Sequence, residues 1–233
     1  MLQIKGFQGI TLLDYPERVS ATIFVAGCNF RCPFCHNYEL VENFDQIPTI
    51  EKEKLFTLIE ERKNFIEGLA ITGGEPLLSD DISDLLIKLK NRFNLPIKVD
   101  TNGYNPDLLK RLLDENLVDY IAMDIKTSPS KYSIGAGINL NFKLIEKSVN
   151  TLLDSKIDYE FRTTMVPEIV NLEDIREIGI LVEGAKKYVL QQFRNIKTLN
   201  NDFTKIIPYK PEELKKARDI LVQFVQKVIL IGV

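Results

Sequence analysis

Three cysteines, Cys28, Cys32 and Cys35, fall within eight residues in the run Gly27-Cys28-Asn29-Phe30-Arg31-Cys32-Pro33-Phe34-Cys35-His36-Asn37, and the chain has no others. Thiolates are soft ligands whose usual partners are iron–sulfur clusters and zinc. A zinc site would draw its fourth ligand from His36, the only histidine, yet the adjacent Cys35 and His36 are poorly placed to reach one ion. An electron-carrying cluster normally has a fourth cysteine. A [4Fe-4S] cubane held by three leaves one iron open to bind something else, and an open iron suggests chemistry rather than electron storage.

Other residues suited to chemistry lie further along. Gly73-Gly74-Glu75-Pro76 allows a tight turn and close approach of backbone to a ligand, because glycine has no Cβ. The Gly73 and Gly74 carbonyls can receive an ammonium group, with Glu75 as a charged partner. The plainer reading is a strand-to-helix turn capped by Ser79 or Asp80. Asp100 and Asp124 are two carboxylates that tolerate each other at close range only with a proton or cation between them. Their plainer roles are a helix cap for Asp100 and a surface pair with Lys126 for Asp124. Arg162 lies in the alternating run Tyr159-Glu160-Phe161-Arg162-Thr163-Thr164; facing inward, its guanidinium suits a carboxylate. Lys186, Lys187, Arg194 and Lys197 make a basic set that is either solvated or a docking surface. A Ser- or Cys-nucleophile mechanism has no support, since no cysteine is spare and no second histidine exists.

These residues need strand ends to hold them. β-rich apolar runs occur at Ser20–Ala26, Gly68–Thr72, Ile97–Thr101, Val118–Ile125, Tyr159–Val166 and Tyr188–Phe193. Helical periodicity fills the intervals at Ile50–Asn64, with Thr49 as its N-cap, and at Asp80–Phe93, Pro106–Glu115, Asn141–Asp154 and Leu172–Val182. A last helix is expected over Pro211–Val225 and a short strand over Val228–Val233. Alternation of strand and helix implies an α/β fold with a parallel sheet covered by helices. Eight units would close a barrel; six suggest a partial barrel or a doubly wound sheet. In both, active residues gather where strands end and loops begin, which is where every motif above falls.

At 233 residues the chain fits one large domain: an N-terminal extension over 1–18, a barrel core over 19–194, and a C-terminal helix and strand over 195–233. The formal net charge of −3 gives no sign of nucleic-acid binding. No apolar run approaches the ~20 residues that span a bilayer, and Met1-Leu2-Gln3-Ile4-Lys5-Gly6 lacks an apolar signal core. Clustered cysteines without a secretion signal point to metal binding in a reducing cytoplasm. Neither a nucleic acid nor a membrane is expected as a partner.

Cys28-x3-Cys32-x2-Cys35, with Phe34 before the last cysteine, resembles the signature of the radical S-adenosylmethionine enzymes. Thr72-Gly73-Gly74-Glu75-Pro76 is similar to that superfamily's second motif. The resemblance implies a partial (β/α)6 barrel. It also implies a [4Fe-4S] cluster on Cys28, Cys32 and Cys35, with the amino and carboxylate groups of S-adenosylmethionine on the fourth iron. Phe34, Gly73, Gly74, Glu75, Asp100, Thr101, Asp124 and Arg162 are then the cofactor-binding residues. No side chain is expected as a general acid or base, because the radical derives from the cofactor.

Cys35-His36-Asn37, Asp100-Thr101-Asn102-Gly103 and Met123-Asp124-Ile125-Lys126 further resemble glycyl-radical-enzyme activases. Leu12-Leu13-Asp14-Tyr15-Pro16 resembles the opening of those that serve anaerobic ribonucleoside-triphosphate reductase. This implies cleavage of S-adenosylmethionine to a 5′-deoxyadenosyl radical, which takes hydrogen from a glycine of that partner. The electron donor expected is of the flavodoxin or ferredoxin type. By resemblance to the formate-lyase activases, Asp100, Thr101 and Asp124 would hold a monovalent cation, and His36 would pack near the cluster. The alternatives are a radical enzyme acting on a small molecule such as a purine-derived precursor, and a non-catalytic iron–sulfur or zinc protein.

Overall fold

The structure is a computed structural model that describes residues 2–233; Met1, at the head of the expected extension, lies outside the described residues. The chain condenses into two compact units interleaved along the sequence. The first takes in the chain up to Asn29, then Asn37–Thr101 and Asp107–Ile121; the second takes in Phe30–His36, Asn102–Pro106 and Ala122–Val233.

The first unit runs β1 (Ile4–Thr11), β2 (Ser20–Val25), α1 (Tyr38–Glu42), α2 (Lys52–Glu60), β3 (Gly68–Gly73), α3 (Asp81–Phe93), β4 (Ile97–Thr101), α4 (Pro106–Asp114) and the start of β5 (Tyr120–Asp124). β1 pairs antiparallel with β2, whereas β2, β3 and β4 are parallel. Parallel strands covered on both faces must be apolar throughout. Accordingly Ala21, Ile23, Val25, Leu69, Ile71, Ile97 and Val99 are fully buried, as are Leu55 and Ile59 of α2 and Leu85, Leu86 and Leu89 of α3. α3 carries Asp81 and Asp84 in its first turn and Lys90 and Arg92 in its last, matching its dipole, and ends on Asn94 in the left-handed region.

Two local expectations change. Thr49 does not cap α2, whose N-cap is Glu51 without a side-chain cap bond; the Thr49 hydroxyl instead accepts a bond from the buried Lys5 ammonium on β1. The segment read as an extension supplies β1. Its alternation is interrupted by Gly6 and Gly9, and its register with β2 shifts twice, so the two-residue period is lost from the sequence.

The second unit contains the end of β5, α5 (Tyr132–Ala136), α6 (Phe142–Leu153), β6 (Asp158–Met165), α7 (Leu172–Leu181), β7 (Tyr188–Gln192), α8 (Pro211–Leu221) and β8 (Val228–Ile231). β6, β7 and β8 are parallel. The fold is α/β with a mostly parallel sheet, as the alternation predicts. Among the described residues no helix is long and apolar enough to cross a membrane.

α7 is fastened at its start by a capping box. Asn171 Oδ1 accepts from the amides of Glu173 and Asp174, and the Asp174 carboxylate accepts from the Asn171 amide. Asp174 is buried and also accepts from Ser128 Oγ at 2.7 Å and Lys131 Nζ at 2.9 Å. Burial pushes its pKa up, but Ser128, the Asn171 amide and Lys131 outweigh burial and hold it below the usual carboxylate range. Asp174→Ala is expected to lower the unfolding free energy by about 2 kcal/mol in urea titrations at neutral pH. Because the folded-state pKa is depressed, this margin is present above the unfolded value of about 3.9. It is lost as pH falls through the folded value, so wild type and variant converge in acid.

Candidate active site

In the first unit, β2 and β3 end side by side. Val25 stands opposite Gly73 in the parallel register, so the loop bearing Cys28 and the Gly73-Gly74-Glu75 turn leave the sheet at one level. Backbone bonds join them: the Gly74 amide donates to the Val25 carbonyl at 2.8 Å and the Glu75 amide to the Gly27 carbonyl at 2.7 Å. The approach leaves no room for a side chain. A Cβ on Gly74 would lie 2.0 Å from the Gly27 oxygen, and one on Gly73, whose φ is +120°, would lie 2.5 Å from the Val25 oxygen. Asn37 Nδ2 donates to the Gly73 carbonyl at 3.1 Å, and the Leu40 carbonyl accepts from the Gly27 amide. The loop following the cysteines is thereby tied to both glycine turns.

Glu75 is buried with its carboxylate engaged inside the protein. Oε1 accepts from the Leu77 amide at 2.9 Å and from Thr101 Oγ1 at 2.6 Å. It caps the turn over Pro76–Leu78 and ties the end of β3 to the end of β4. Lys98, two residues before Asp100 on β4, is only 2% exposed and forms an ion pair with Asp100. Asp100 lies within β4, ahead of the start of α4 at Pro106. Ser79 Oγ accepts from the Asp81 amide at 3.3 Å, and Asp80 makes no side-chain cap bond.

In the second unit, Cys32 and Phe34 are buried and Cys35 is half-buried; in the first, Cys28 is half-buried. All three thiols are free of disulfides. The Cys35 amide donates to the Cys32 carbonyl, closing a turn. The loop is held from outside by the Leu199 amide on the Cys35 carbonyl and the Asn200 amide on the Pro33 carbonyl. His36 Nδ1 lies 2.7 Å from the Lys197 carbonyl, which fixes the ring as the Nδ1–H tautomer or the imidazolium. Burial pushes the Cys32 thiol up to about 11, against the pull of the Lys126 ammonium. An unliganded Cys32 is thus a neutral thiol, and metal binding must release its proton.

Asp124, at the end of β5, is held from two sides. Arg162 Nε donates to Oδ1 at 2.8 Å and Lys126 Nζ to Oδ2 at 3.0 Å. Burial opposes its charge, but Arg162 and Lys126 outweigh that and keep it ionised, well below the usual carboxylate range. Lys126 is likewise held above the ordinary lysine value, chiefly by Asp124 against burial. The Tyr132 hydroxyl reaches the Asp124 carbonyl at 3.4 Å, and desolvation pushes its pKa up. In the same unit Tyr188 and Thr163 share a hydrogen bond of 2.6 Å, and Thr163 Oγ1 donates to the Ile125 carbonyl.

The sequence singled out Asp124 and Arg162 separately; the structure pairs them. It also adds Lys98 and Tyr132, which sequence reasoning passed over. Lys98 gave no signal because a lysine between Ile97 and Val99 reads as the outward residue of an alternating strand. The basic set is divided: Lys187 forms an ion pair with Glu160 at 2.9 Å, and Lys186 donates to the Ile157 carbonyl over the Tyr159 ring.

Among the described residues no three His, Cys, Asp or Glu side chains are grouped so as to hold a metal ion. A cubane asks for a different arrangement, since each thiolate binds a separate iron. Three soft donors within eight residues, none of them in a disulfide, suit such a cluster. An α/β chain with this donor set at its strand ends belongs among cluster-dependent enzymes.

The chain belongs to the Radical SAM superfamily, which matches residues 22–181. It is a radical S-adenosylmethionine enzyme, and its cofactors are a [4Fe-4S] cluster and S-adenosylmethionine. It is 29% identical over 231 residues to a Methanocaldococcus jannaschii protein whose name, glycyl-radical enzyme activating enzyme, is itself provisional. That match covers 97% of this chain and 95% of the relative. It is also 25% identical to the pyruvate formate-lyase-activating enzyme of Clostridium pasteurianum, over 81% of this chain and 86% of that one. In fold it resembles the crystal structure of Streptococcus suis SuiB bound to S-adenosylmethionine, with a TM-score of 0.62 at 15% identity. There the match covers 88% of this chain but only 48% of SuiB.

The glycine contact gives a direct expectation. Gly74→Ala should lower the unfolding free energy of the metal-free protein by about 1–3 kcal/mol through overpacking against Gly27. Gly184→Ala is the control: its φ is also positive, at +86°, but a Cβ there meets nothing within 4 Å. It should cost about 1 kcal/mol, from backbone conformation alone. Equal losses in thermal or urea unfolding would show that the Gly74 approach is not tight.

Proposed function

We propose that this protein is an activase that installs a glycyl radical in a partner enzyme. The observation that carries this reading is the end-to-end similarity to a glycyl-radical enzyme activating enzyme, 97% of this chain against 95% of the relative. The similarity to the formate-lyase-activating enzyme supports it. Cys28, Cys32 and Cys35 are the cluster ligands, one iron each, and the fourth iron receives the amino and carboxylate groups of S-adenosylmethionine. The Gly73 and Gly74 carbonyls accept from its ammonium. Glu75 acts by holding the glycine turn against Thr101. Arg162 and Lys126 favour an anionic group of the ligand. Phe34, Asp100, Thr101 and Asp124 complete the binding residues.

When bound, the reduced cluster would supply the one electron for reductive cleavage of S-adenosylmethionine, the chemistry needed to take a hydrogen atom from a glycine Cα. The chain's contribution is orientation and exclusion of competing reactions. The resemblance of Leu12-Leu13-Asp14-Tyr15-Pro16 favours anaerobic ribonucleoside-triphosphate reductase as the partner. In this motif Tyr15 is buried and Asp14 accepts from Thr22 at 2.7 Å, while Leu12 and Leu13 are largely exposed. The setting is a reducing cytoplasm, with a flavodoxin- or ferredoxin-type protein as electron donor.

The test mixes anaerobically reconstituted protein, reductant, S-adenosylmethionine and a candidate reductase subunit, and records the electron paramagnetic resonance spectrum. A glycyl doublet is expected, lost when the partner's radical-bearing glycine is replaced by alanine. Cys32→Ala should abolish both the doublet and cofactor cleavage; full activity in that variant would remove the ligand assignment. Cofactor cleavage without a doublet on any glycyl-radical enzyme, and with hydrogen loss from a purine-derived small molecule, would replace the activase reading.

A further inference from the structure

The resemblance to the formate-lyase activases implies a monovalent cation held by Asp100, Thr101 and Asp124, and the side chains around these residues do not fit that expectation. In the first unit, Asp100 is paired with Lys98. Lys98 and Asp100 are two residues apart on β4 and so share one face of the strand. The lysine side chain is 2% exposed while the carboxylate is 18% exposed, so the ammonium lies beneath the carboxylate and away from solvent. Burying an ammonium is costly unless an anion lies close to it, and the Asp100 carboxylate does. Thr101, next in line, donates its hydroxyl hydrogen to Glu75 at 2.6 Å. In the second unit, Asp124 already has Lys126 on one oxygen and Arg162 on the other. Asp100 is thus met by the Lys98 ammonium, and Asp124 by Lys126 and Arg162.

We propose that this protein carries its own cation: the Lys98 ammonium takes the place of a monovalent metal ion beside Asp100, as Lys126 and Arg162 do beside Asp124. An ammonium and a potassium ion carry the same charge, and both are satisfied by carboxylate oxygens. The ammonium differs in being covalently held, so its occupancy does not depend on salt composition. Lys98 is a positioning residue. By neutralising Asp100 it allows the carboxylate of S-adenosylmethionine to bind without meeting an uncompensated negative charge. This rests on the reading that S-adenosylmethionine binds beside Asp100.

Two measurements on the anaerobically reconstituted protein test the proposal without recourse to turnover. The first is titration calorimetry of S-adenosylmethionine in potassium, sodium and choline chloride at equal ionic strength. Wild-type affinity is expected to vary less than about twofold, since the compensating charge belongs to the chain. Lys98→Met should bind about tenfold more weakly in choline, the order of loss for an uncompensated carboxylate, and recover in potassium. The second is equilibrium dialysis of wild type with rubidium and S-adenosylmethionine, which should find no stoichiometric rubidium; this decides the matter even if the variant fails to fold. One rubidium per chain, or a wild-type affinity that collapses in choline, would overturn the proposal. So would a folded Lys98→Met with wild-type affinity in every salt. Absence of binding in all three salts would instead remove the underlying placement of the cofactor, and the proposal with it.

Discussion

The parallel register of β2 and β3 is the constraint on which the rest of the first unit depends. Because Val25 faces Gly73, the chain leaves both strands at the same height. The Gly74 backbone can then approach Gly27, and the Gly73 backbone Val25, so closely that neither position has room for a Cβ. Two amide-to-carbonyl bonds lock the cysteine loop's first residues to the glycine turn. The carboxylate of Glu75 extends the same arrangement to β4 through Thr101. Positioning at the strand ends is therefore a property of backbone hydrogen bonds, which do not depend on flexible side chains and need no rearrangement when a ligand arrives.

Charge is arranged with the same economy in each unit. Carboxylates at the ends of β4 and β5 are each met by a lysine two residues away on the same strand or just past it, Lys98 for Asp100 and Lys126 for Asp124. Arg162 from β6 adds a second cation to the latter. The pKa directions agree with the geometry, with Asp124 kept ionised and Lys126 kept charged despite burial.

Much of this was legible in the sequence, for reasons that differ by element. β4 has the bounds read from its apolar run, and α3, α4, α6 and α7 differ by a residue or two at most at each end, because long amphipathic repeats and terminal Pro, Asn and Asp leave clear signals. The five-residue helices α1 and α5 are too short to show a period. The expected helix over Ile50–Asn64 shrinks to Lys52–Glu60 because its last residues turn back on themselves, Arg62 and Phe65 donating to Ile59 and Arg62. The cysteines and glycines were readable because their function requires particular residue types at fixed spacing. Glu75 could be located but not understood, since its bond to Thr101 depends on how β3 and β4 are paired. Lys98 was invisible because a strand covered on both faces buries the very position that alternation assigns to solvent.

The proposed activity requires that hydrogen leave a polypeptide glycine and end on the cofactor's 5′ carbon. Supplying this protein with a partner enzyme labelled with deuterium at glycine Cα, and recovering 5′-deoxyadenosine for mass spectrometry, follows that hydrogen directly. One deuterium in the 5′-deoxyadenosine is expected, in proportion to glycyl radical formed, and none when the partner is unlabelled. Unlabelled 5′-deoxyadenosine alongside a full yield of glycyl radical, with hydrogen drawn from solvent or a small molecule, would contradict it.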